Sequence, residues 1–171
     1  MTGRPTTEAW QRGPVAGYHP LLMPVVHALV QVREDIEHLA STVPEQHFWT
    51  RPGGAASIAF HLRHTAGALD RLFTYARGES LSTMQRDALA AEEHQGEGMT
   101  LRTIADEVSM TIDRALAQVR ETAPELLTDE RRVGRAGLPS TVIGLLFHAA
   151  EHSTRHVGQA ITTARILAGQ R

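Results

Sequence analysis

The 171-residue chain contains no cysteine, which removes disulfides, thiolate nucleophiles and cysteine-ligated zinc together. It contains no lysine either. All 17 basic residues are arginine, so Schiff-base chemistry and lysine general bases are excluded as well. The net charge is −2 with both signs interspersed, leaving no basic stripe to meet nucleic acid or an anionic membrane. No apolar run approaches the roughly 20 residues that span a bilayer, and residues 1–11 lack a basic start followed by an apolar core. A cytoplasmic protein without nucleic-acid or membrane partners is therefore expected. No stretch alternates apolar and polar residues for long enough to claim a sheet, and no internal repeat is visible.

Helical periodicity fills the gap. Leu22, Val25, Leu29, Val32, Ile36 and Leu39 keep a strict three-four alternation. Ile58, Leu62, Thr65, Leu69, Leu72 and Ala76 do the same, as do Leu101, Ile104, Val108, Ile112, Ala115 and Val119. These stripes predict helices near residues 18–42, 55–77 and 100–122, and a fourth near 140–168. The fold class expected is all-α: a single domain over 1–171, built as a four-helix bundle with a long crossover between helices 2 and 3. Residues 1–17 are expected to form a loose arm. The crossover, 79–99, has room for a short helix around Met84–Glu93. Residues 123–139, with Gly134 and Gly137, read as a loop or small hairpin.

What the chain has in abundance is histidine, and 3 of its 10 recur every fourth residue in His148-Ala-Ala-Glu151-His152-Ser-Thr-Arg155-His156. That spacing stacks the rings on one side of a helix. The apolar positions of the same helix are Val142, Leu145, Ala149, Ala160, Thr163 and Ile166 or Leu167. Continuing their alternation through the gap lands on His152 and His156. Two imidazoles in a core-facing seam are costly to bury unless paired or bound, and a metal ion explains both at once. His61 and His64 flank the stripe of the second helix. Two histidines from one helix and one from a facing helix make a three-histidine site with open positions, a catalytic pattern rather than a closed structural one. Imidazole suits zinc, nickel, copper or iron. His19, His47 and His94 are expected to face solvent, and His27 and His38 lie off the first stripe.

Competing motifs fit less well. His148-Ala-Ala-Glu151-His152 matches the inverted zinc-protease signature, but too little chain follows for its distant third ligand. A ferritin-like di-iron centre needs Glu-x-x-His on two helices, and Asp35-x-x-His38 is the nearest approach. Nothing supplies the strained nucleophile turn of a Ser-His-Asp site.

The segments Ser57-Ile-Ala-Phe-His61-Leu-Arg-His64-Thr-Ala-Gly and His152-Ser-Thr-Arg-His156-Val-Gly-Gln159 resemble the two signature blocks of the DinB-like superfamily. The resemblance covers nearly the whole chain. It implies a four-helix bundle, commonly homodimeric, with a divalent metal held by one helix-two histidine and an H-x-x-x-H pair on the last helix. Carried over, the metal ligands are His64, His152 and His156. His64-Thr-Ala matches the family's small-residue step better than His61-Leu-Arg does. His61 and His148 stand outside that minimal set, as candidate catalytic or substrate-orienting residues. His148 could also replace His156, since His148/His152 has the same spacing, but His156 lies on the apolar stripe and His148 beside it. The resemblance implies a metal-dependent transferase, with zinc or nickel activating a low-molecular-weight thiol (bacillithiol, mycothiol or glutathione) toward an electrophile. A metal-binding stress protein without turnover and a metal-dependent hydrolase are the alternatives.

Overall fold

The computed structural model describes residues 5–96 and 98–169. Five α-helices account for most of them: α1 Met23–Thr42, α2 Ile58–Ala76, α3 Thr83–Ala91, α4 Leu101–Glu121 and α5 Val142–Gly169. Two short strands, β1 Glu130–Val133 and β2 Leu138–Thr141, form an antiparallel hairpin between α4 and α5. Among the described residues no helix is long and apolar enough to cross a membrane.

The three stripes read from the sequence become the core. All six positions of the α1 stripe and all six of the α4 stripe are buried, and in α2 only Leu72 stays partly exposed. α1 packs against α4 and α5, and α2 packs against the same two helices. Side-chain caps fix where the helices begin. Ser57 accepts from the Phe60 amide at the start of α2, and Thr100 from the Thr103 amide at the start of α4. At the end of α2, Gly78 takes the left-handed conformation (φ 78°) that terminates helices.

Three features differ from the sequence reading. The last helix begins at Val142 rather than Ser140, because residues 138–141 pair with 130–133 and Thr141 accepts from the Gly144 amide. The chain around residues 8–13 is not loose. The Ala9 amide donates to Gln31, Arg12 pairs with Glu34 at 2.7 Å, and His27 Nε2 donates to the Gly13 carbonyl. Residues 1–4 of the expected arm lie outside the described residues. The third difference is the α5 seam, which runs through Ser153 and Val157. His152 and His156 flank it, half-buried, on the side turned to α2. The buried Ser153 hydroxyl is satisfied by the Ala149 carbonyl of its own helix at 2.7 Å, so it breaks the apolar seam at little cost.

Truncating a fully buried stripe residue should therefore cost far more than truncating an exposed apolar one. Leu69→Ala is expected to destabilise by about 2–5 kcal/mol, and Met84→Ala, whose side chain is exposed, by under about 0.5 kcal/mol. Urea unfolding of the two variants checks this, and equal midpoints would contradict the assigned core.

Candidate metal centre

α2 and α5 lie against each other, and where they meet the structure gathers His64, His152 and His156. One ligand-capable nitrogen from each lies within 4.8 Å of the others. His64 Nε2 and His152 Nε2 are 2.9 Å apart. Two imidazole nitrogens sharing one ion at the usual distances sit about 2.9–3.4 Å apart, depending on the bond angle. A nitrogen–nitrogen contact of this length requires one bridging proton, and an ion entering there takes that proton's place. The rings are also close as bodies, with centroids 4.4 Å apart for His64 and His156 and 4.5 Å for His152 and His156. His152 Nδ1 is buried with no hydrogen-bond partner among the described residues. Three convergent imidazoles, one with an orphaned nitrogen, fit a divalent ion of borderline softness.

The orientation of His64 comes from a residue the sequence reading passed over. Its Nδ1 donates to the Glu92 carboxylate at 2.7 Å, which leaves Nε2 facing His152. Such carboxylate–histidine pairs fix the ring's tautomer and raise its basicity as a ligand. Glu92 is itself buried and takes Arg71 at 2.6 Å on its other oxygen. Its placement depends on one face of α2. Arg63, Gly67 and Arg71 stand four residues apart along that face. Arg63 lies against the carbonyls of Ala91, Glu92 and His94, closing the C-terminal end of α3. Gly67 leaves the space that the Glu92 and Arg71 side chains fill. No local pattern in the sequence marks this arrangement, because Glu92 and His64 are 28 residues apart on different elements.

His61 and His148 stay outside the cluster. His61 is buried behind His156, their Nδ1 atoms 3.0 Å apart, so it positions that ring. His148 is half-exposed and pairs with Glu151 at 2.8 Å, its ring 5.4 Å from His152. Phe60, also missed in the sequence, stacks on His64 at 5.5 Å and meets His61 and His156 edge-on. Of the histidines expected in solvent, His47 departs: its Nε2 is buried without a partner among the described residues.

Burial and charge repulsion favour the neutral form of His61, His152 and His156. His156 is pushed down to about 4, first by burial and then by repulsion from His64, His152 and His61. Burial also lowers His61 and His152, with repulsion from His64 as the next cause in each. Neutral imidazole is the form that ligates a metal.

A pH dependence follows. The unfolded chain protonates these histidines near 6.5, above their folded values. It therefore binds more protons than the folded chain in that interval. The metal-free protein should hold its full stability above about pH 6.5 and lose it as the pH falls toward about 4. Melting temperatures across that range check the sign, and a rise on acidification would contradict it. A second expectation concerns Gly67→Ala. The added methyl would lie 2.6 Å from Arg71 Nη1 and collide with Glu92, both flexible ends that can move. Helix propensity favours alanine by up to about 1 kcal/mol, so the melting temperature should shift by only a few degrees. Displacing Glu92 should still weaken metal affinity by about 10-fold or more, read by competition with a chelator.

The chain was compared with known families, curated proteins and solved structures. The profile of the DinB superfamily matches residues 28–160. No curated protein matches the sequence. A crystal structure of a conserved protein from Enterococcus faecalis superimposes with a TM-score of 0.68 at 17% identity, covering 86% of this chain and 97% of that one. A structural-genomics target from Streptococcus pneumoniae gives 0.63 at 12% identity, covering 95% and 97%. At such identities these two speak for the fold alone. The family match spans well over half of the sequence, and both quoted blocks lie within it: the chain belongs to the DinB superfamily.

Proposed function

We propose that the protein binds a divalent metal ion, zinc or nickel, on His64, His152 and His156, and acts as a transferase that activates a low-molecular-weight thiol toward an electrophilic small molecule. The observation that carries the metal reading is the convergence of three imidazole nitrogens within 4.8 Å, one of them oriented by a buried carboxylate. An ion held by three imidazoles keeps positions open and lowers the pKa of a water or thiol placed there. The protein's own residues supply the rest. Glu92 keeps His64 turned inward, His61 holds His156, and Phe60 shields the rings on one side. His148, its ring 5.4 Å from that of His152 and its Nδ1 engaged by Glu151, keeps Nε2 as a proton acceptor for an incoming ligand. The chain has no sulfhydryl of its own, so no protein thiolate competes for the open positions. The same reading takes the four long helices as one four-helix bundle and the protein as a homodimer.

The His64 side chain is 20% exposed, which favours a centre open to small molecules over an ion serving stability alone. Hydrolysis by an activated water remains the second reading, because His148 would serve a water as well as a thiol.

Elemental analysis of purified protein should find the ion in wild type and in His38→Ala, whose histidine is exposed on α1, and little of it in His152→Ala. Equal metal in all three would place the ion elsewhere. In cobalt- or nickel-loaded protein, adding a low-molecular-weight thiol should produce a sulfur-to-metal charge-transfer band. A full metal load with no such band, together with ester or amide cleavage lacking any thiol requirement, would replace the transferase by a hydrolase.

A further inference from the structure

Beside the histidine cluster lies a cavity of about 190 Å³, lined by Trp49, Arg51, Ala56, Ser57, Phe60, Glu93 and Gln95. Phe60 connects the two features: it lines the cavity and also stacks on His64. The cavity is smaller than the roughly 300 Å³ at which pockets for drug-sized ligands begin. Its occupant is then a small molecule, or one end of a longer one.

Two charged residues on its lining have no partner among the described residues. Most arginines of this chain pair with a carboxylate or cap carbonyls, as Arg12, Arg33, Arg63, Arg71 and Arg102 do. Arg51 and Glu93, both exposed, line one cavity yet form no ion pair with each other, nor with any other described residue. A purely anionic ligand would meet Glu93, and a purely cationic one would meet Arg51. A molecule carrying both signs satisfies both groups. The walls suit it too. Phe60, Ala56 and the Trp49 ring cover a short apolar stem, and the Trp49 Nε1–H is a buried donor without a partner among the described residues.

We propose that this cavity binds a zwitterionic, amino-acid-type group, with its carboxylate on Arg51 and its ammonium on Glu93. It is the substrate-recognition end of a site whose reactive end is the histidine cluster across Phe60. Only that last clause rests on the metal-centre reading. A thiol ligand of this class would carry a free amine and a free carboxylate on one amino-acid group.

The test separates the two readings by using metal-free protein and a ligand without sulfur. The chain has 2 tryptophans, and Trp10 is exposed on the N-terminal segment, so Trp10→Phe leaves Trp49 as the single indole reporter. Titration with L-serine should give a saturable change in Trp49 fluorescence. N-acetyl-L-serine and L-serinamide, each lacking one charge, should bind about tenfold more weakly or worse. Arg51→Gln and Glu93→Gln in the same background should each lower L-serine affinity by a similar factor. Far-ultraviolet circular dichroism and metal loading of both variants should match the parent. No saturable response to L-serine, undiminished binding of either capped analogue, or unchanged affinity in either variant would each overturn the proposal. None of those results would touch the metal content of the histidine cluster, which is measured separately.

Discussion

The buried carboxylate of Glu92 ties together groups that would otherwise be liabilities. Arg71 is a charge held on the wall of the core, and His64 is a polar ring between two helices. Each is costly to remove from water alone. Glu92 receives both, one on each oxygen. A carboxylate buried without such partners would itself be unstable, so the three groups are mutually dependent. The histidine cluster inherits that dependence. With Nδ1 of His64 committed to Glu92, its remaining nitrogen faces His152.

The frame around this contact was largely legible in the sequence. The stripes of α1 and α4 follow their periodicity without exception, because a helix covered on one face by neighbours must put apolar residues there. The four-residue recurrence of the α5 histidines likewise located the cluster, since that spacing has few other uses. The line of the seam itself was misread. Alternation continued through the gap passes through His152 and His156, yet the helix buries Ser153 and Val157. A serine is silent to a search for apolar residues, although its hydroxyl bonds its own helix and it packs as a small side chain. Shifted by one position, the two histidines turn toward α2, and that shift brings them to His64.

Glu92, Arg71 and Phe60 were not legible. Their roles depend on contacts between elements far apart in the chain, and the crossover that carries Glu92 looks polar throughout. The arm before α1 was missed for a similar reason. Its hold on the body is a set of single polar contacts to Gln31, Glu34 and His27, and a few polar contacts leave no periodic trace.

The crossover helix shows how little is needed to place a critical group. α3 buries none of its own residues. It is held by a capping box between Ser82 and Gln85, by Gln85 reaching Asp70 and Thr74 of α2, and by Arg63 over its last carbonyls. Segments built on polar contacts at a surface open more readily than packed helices. Just beyond its end, Glu92 is buried. The order of α3 and the orientation of His64 are therefore coupled through a single residue. Coupling of this kind is reciprocal: whatever docked α3 adds to the affinity of the cluster for an ion, a bound ion adds to the docking of α3. A glycine at position 67 keeps the two compatible, because any larger residue there would press on the carboxylate that joins them.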